Sequence, residues 1–133
     1  MSLRLSILAL VAVLAALGGC AQPPINPPTS VGLLDVAERP AEKALLAGIR
    51  ADDDAQYPQA EKNLQAALQA GLVSPRDRAE AHKLLAFIFC TSNRASDCEA
   101  QFRAARAADP GFALSKSEAG HPLWGPVYQR VQR

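Results

Sequence analysis

Apolar residues follow two different patterns along the chain. From Leu5 to Leu17 they form one short uncharged run preceded by a single Arg4, and from Val31 onward they recur every three or four positions among polar residues. The second pattern is that of amphipathic helices, whose apolar stripe repeats with the 3.6-residue turn. Leu33, Leu34 and Ala37 predict a short first helix capped by Ser30. Pro40 opens a second, which carries Ala44, Leu45, Ala47, Gly48 and Ile49 and frays in Asp52-Asp53-Asp54. A third runs from near Pro58 to Gly71, a left-handed cap. Ser74-Pro75 caps and opens a fourth through Ala81, Leu84, Leu85 and Ile88, and Thr91-Ser92-Asn93-Arg94 makes a turn into a fifth over Ala95 to Ala108.

Asp109-Pro110-Gly111 closes that helix, and Ser115-Lys116-Ser117-Glu118 has the spacing of a capping box over a single turn. After Gly120-His121-Pro122, the stripe Leu123, Trp124, Val127, Tyr128 and Val131 predicts a final short helix starting near Pro122.

Aromatics make up only 5% of the 133 residues and alanine is abundant, which favours closely approaching helices over sheets. Fourteen Lys and Arg nearly balance thirteen Asp and Glu, so no strong field points to nucleic acid or to acidic substrates.

The apolar run ends in Leu17-Gly18-Gly19-Cys20, which resembles the lipobox of bacterial lipoproteins. The run is shorter than the roughly 20 apolar residues of a spanning helix and has the n-region and h-region of a secretory signal. The resemblance implies cleavage before Cys20, acylation of its thiol, and a mature chain of 114 residues once the first 19 of 133 are removed. That length fits one domain. Ala21, where such lipoproteins destined for the inner membrane tend to have aspartate, implies a lipid anchor in the outer membrane facing the periplasm. Four prolines between Cys20 and Ser30 disfavour helix and predict an extended tether reaching roughly 30 Å.

Two helix pairs match one another, and they resemble the tetratricopeptide repeat, a 34-residue helix-turn-helix unit. In the clearer copy, about residues 79–112, Leu85, Ala86, Phe89, Cys98, Phe102, Ala105 and Pro110 fall at the repeat's characteristic positions, with His82 in place of tryptophan. In the upstream copy, about 41–74, Ala47, Gly48, Ala60, Leu64 and Ala67 fit, whereas Ala44, Ala51 and Leu72 replace tryptophan, tyrosine and proline. The copies are offset by 38 residues, so the loop from Val73 to Arg78 absorbs an insertion. Small residues at Gly48 opposite Ala60, and at Ala86 opposite Cys98, let paired helices approach closely.

The expected fold is therefore all-α. A signal peptide (1–19) and a lipidated proline-rich tether (20–30) precede a helical domain (31–112) of two such hairpins and a C-terminal capping segment (113–133). The resemblance implies a concave partner-binding face carrying Glu42, Leu45, Ile49 and Asp52, with Glu80, Lys83 and Phe87 beside them. Two repeats need caps, so Trp124 and Tyr128 are expected to close the core over the second, the alternative being an exposed hot spot. Cys90 and Cys98 lie near facing ends of antiparallel helices, within disulfide reach in an oxidising compartment, against the alternative of two buried free thiols.

Signs of catalysis are thin. His82 and His121 are the only histidines and belong to no metal-binding array, and there is no nucleophile elbow or phosphate loop. Asp52-Asp53-Asp54 lacks the ligand spacing of a calcium loop. The chain is expected to be no enzyme, to need no cofactor or metal, and to bind an envelope protein or peptide while held to the membrane by lipid. The segment from Cys90 to Cys98 and Glu118-Ala119-Gly120-His121-Pro122-Leu123-Trp124-Gly125-Pro126 are also similar to small repeat lipoproteins that accompany Gram-negative secretion systems such as type VI. A pilotin-like chaperone and an envelope structural protein without a dedicated client are the alternatives.

Overall fold

A computed structural model describes residues 32, 33, 35 and 38–133. Cys20, the signal peptide, the tether and most of the expected first helix lie outside the described residues; Leu33 and Asp35 are helical. The described chain is all-helical, with no strand: α1 Pro40–Asp53, α2 Tyr57–Ala70, α3 Pro75–Thr91, α4 Ala95–Ala108, α5 Lys116–Ala119 and α6 Gly125–Val131.

Local chemistry sets these limits. Proline occupies the first or second position of α1, α2 and α3, where a missing N–H costs nothing. The Ser74 hydroxyl accepts from the Asp77 N–H at the start of α3, and α2 ends at Gly71 with φ +88°. Ser115 and Glu118 form the full capping box of α5. The final helix starts at Gly125, not near Pro122. Residues 122–124 form a turn instead, closed by the Gly125 N–H donating to the His121 carbonyl.

Helix α1 packs along α2 and α3 along α4, and the pairs meet chiefly where α2 touches α3. The two pairs repeat each other in detail at the 38-residue offset. The Gln56 N–H donates to the Ala51 carbonyl at 2.7 Å, as the Arg94 N–H does to Phe89 at 2.8 Å. Asp54 likewise bonds Arg50 as Ser92 bonds Ile88, and the left-handed residue of each turn is Ala55 in one and Asn93 in the other. Burial repeats with the same spacing. Ala60, Leu64 and Ala67 on α2 and Cys98, Phe102 and Ala105 on α4 are all fully buried.

The close approach of α1 to α2 falls one turn from the expected place. The atoms nearest to a Cβ on Gly48 would be those of Leu64, one turn along α2 from Ala60, because the register between antiparallel helices depends on how their side chains interlock. Arg94 ties the pairs together. Its guanidinium reaches Glu61 on α2 at 2.9 Å and Asp97 at 2.9 Å, and lies over the Phe89 ring at 4.0 Å. Cys90 and Cys98 stand at disulfide distance with a Cα separation of 5.2 Å, fastening the end of α3 to the first turn of α4.

Candidate functional site

The residues expected on one binding face divide between two places. Glu42, Leu45, Ile49 and Glu80 come together along a shallow groove of about 290 Å³, joined there by Leu33, Leu46 and Asp77. The α1 residues in it are one face of that helix, spaced by three or four, and Asp77 and Glu80 reach it from the first turns of α3. Leu45 and Glu42 are buried, Ile49 is half-buried and Leu46 is exposed.

Lys83 and Phe87 have other surroundings. Lys83 bridges Glu80 at 2.9 Å and Glu118 at 3.2 Å, and with Glu80 it borders a separate polar cavity of about 590 Å³ between α3 and the segment Asp109 to Glu118. Phe87 lies beneath Trp124, the rings stacked at 4.2 Å, with Phe102 edge-on at 6.1 Å. His121 stacks on the other side of the indole at 3.4 Å, and Trp124 Nε1 donates to the Glu118 carbonyl at 2.8 Å. The C-terminal segment thus occupies the α3 half of the expected face, and among the described residues it does not extend over the α1 half. Asp52 lines no described groove.

Tyr128 is buried. Its ring sits 5.3 Å from Phe102 and 6.2 Å from Phe112, and its hydroxyl accepts from the Leu114 N–H at 3.1 Å. Val127 and Val131 complete this closure, and the Arg106 guanidinium donates to the Val131 carbonyl. Trp124 is half-buried against Phe87, so the aromatic pair closes the helical core at its α4 end.

The electrostatics follow from these contacts. Burial, then the neighbouring Asp53, push the Asp52 carboxyl above the usual range, against the pull of Lys83. Burial pulls the Lys83 ammonium down, but hydrogen bonds and charge from Glu80 and Glu118 outweigh it and hold its pKa above the ordinary value. Burial likewise pushes Glu118 up, and the Ser115 backbone N–H, the Ser115 hydroxyl and Lys83 together hold it below the usual carboxylate value.

His82 is hydrogen-bonded to the Gln101 side chain at 2.7 Å, and His121 packs on Trp124. Among the described residues no three His, Cys, Asp or Glu side chains converge as a metal requires, and no helix is long and apolar enough to cross a membrane. Sequence reasoning missed Leu33, Leu46 and Asp77 in the groove. Leu46, four residues beyond Glu42, and Asp77, two beyond the helix-opening Pro75, were the available signals. Comparison with known protein families, with curated proteins and with solved structures finds no match to this chain.

Proposed function

We infer that this chain is a lipid-anchored scaffold of the cell envelope, built on two tetratricopeptide-like hairpins that hold or position a partner protein at the periplasmic face of the outer membrane. The observation that carries this reading is the repetition at 38 residues of both turn hydrogen bonds and buried positions. Repeat units of this kind stack into extended surfaces that bind other molecules. The lipobox-like Leu17-Gly18-Gly19-Cys20 and the proline-rich tether supply the envelope half of the reading. Confinement near a membrane raises the effective concentration of a partner, so modest intrinsic affinity suffices for an assembly factor of a secretion-type machine.

The test is crosslinking in intact envelopes of the source cell, with labelled palmitate as a second readout. Label on the wild-type chain, its loss on Cys20→Ser, and a defined partner recovered only with the acylated chain are the expected results. An unlabelled wild-type chain would remove the envelope reading. Recovery of peptidoglycan without any protein partner would favour the structural alternative.

A further inference from the structure

Among its described lining residues, the α1 half of the expected face joins an apolar floor to charge of one sign. Leu45 and Ile49 form the floor, and Leu33 and Leu46 stand 89% and 41% exposed beside it. The charged groups along the groove are Glu42, Asp77 and Glu80, with no lysine or arginine among its described lining residues. Glu42 is only 6% exposed, and its described ion pair, with Arg39, is long at 3.9 Å. A carboxylate so far withdrawn from water gains most from a cation delivered in a desolvated contact. Lys83, the nearby cation on α3, is already committed to Glu80 and Glu118.

The shape selects the kind of occupant. At about 290 Å³ the groove lies at the lower edge of the range of sites that enclose drug-sized molecules. It runs along a ridge of residues spaced by three and four on α1, the geometry into which the ridge of another helix packs.

We propose that this groove docks an amphipathic helical segment of the partner protein, whose aliphatic side chains at i and i+3 or i+4 lie on Leu45, Leu46 and Ile49 and whose flanking lysines or arginines meet Glu42, Asp77 and Glu80. The proposal rests on the scaffold reading and specifies its partner. The C-terminal segment, with Trp124 stacked on Phe87, bars the same helix from the α3 half of the face, so recognition is confined to a few turns.

The test titrates the full chain into a short fluorescein-labelled helical peptide with leucine at i, i+3, i+4 and i+7 and lysine at the flanks, and into a twin carrying glutamate for lysine, both read by anisotropy. The lysine peptide is expected to bind at least about tenfold more tightly, with the difference shrinking as salt is added. Leu46→Lys, at an exposed position, is expected to weaken it about tenfold, whereas Leu123→Lys, exposed in the turn before α6, leaves it unchanged. Equal binding of the twins, preference for glutamate, or indifference to Leu46→Lys would overturn the proposal. The two readings fail separately. An envelope partner recovered undiminished with Leu46→Lys leaves the scaffold standing and removes the groove; an unacylated chain that still discriminates the peptides does the reverse.

Discussion

Gly48 on α1 faces Leu64 on α2 with no room for a methyl group between them: a Cβ there would lie 2.8 Å from both Cγ and Cδ2 of Leu64 and 3.2 Å from its backbone nitrogen. Leu64 is fully buried and has nowhere to retreat. Alanine in a helix gains about 0.5–1 kcal/mol over glycine, but overpacking costs about 1–3 kcal/mol. Gly48→Ala is therefore expected to lower stability by about 1 kcal/mol, and Gly48→Val by more, in urea denaturation followed by circular dichroism.

The equivalent turns differ in what their left-handed residues cost. Ala55 has φ 57° and Asn93 φ 59°. Left-handed backbone costs an ordinary side chain about 1–2 kcal/mol, while asparagine tolerates it through local hydrogen bonding. After the entropy of a flexible glycine is subtracted, Ala55→Gly is expected to stabilise by about 0.5–1 kcal/mol, and Asn93→Gly by clearly less. Thermal melts of the two variants give the comparison.

Trp124 is the single tryptophan, so its emission reports the C-terminal closure alone. Phe87→Ala removes the ring stacked on it and the edge contact with Phe102. A loss of about 2–4 kcal/mol is expected, together with a red shift of the indole emission while most far-ultraviolet helix signal remains.

Reducing the Cys90–Cys98 pair opens a loop with a sequence separation of 8. In the chain-entropy treatment such a loop is worth about 2–3 kcal/mol. Dithiothreitol is expected to lower the melting temperature of the wild type and to leave that of the double variant Cys90→Ala, Cys98→Ala unmoved.

The Lys83–Glu118 pair makes stability depend on pH at both extremes. Glu118 has a depressed folded pKa, so its contribution is present above the ordinary value of about 4.5 and is lost as pH falls through the folded one. Lys83 has a raised folded pKa, so its contribution persists up to the ordinary value of about 10.5 and is lost as pH rises beyond it. Glu118→Gln, which keeps the capping-box pattern, is expected to flatten the acid limb of a stability–pH curve relative to wild type.

The helices were legible in sequence wherever a local rule sets them. Ser74 caps α3, Gly71 closes α2 and the Ser115–Glu118 box starts α5, each through a bond within four residues or a single backbone angle. The cysteine pairing was legible because both ends sit beside one short turn. Long-range choices were not. The stacking of Trp124 on Phe87 joins residues far apart in the chain and divides the expected face in two, and no spacing rule reports it. The Gly48–Leu64 register and the start of α6 at Gly125 likewise depend on what packs from elsewhere.

The succession α1–α2–α3–α4, in which each long helix packs on its sequence neighbour, bears on kinetics. Chains whose contacts are mostly local close only small loops on the way to the native state, and helical proteins of this kind fold in roughly microseconds to milliseconds. The indole-on-phenyl closure spans more of the chain than the pairing of successive long helices, so it belongs late on the pathway. A newly released chain would assemble its helical body first and seal the aromatic end last.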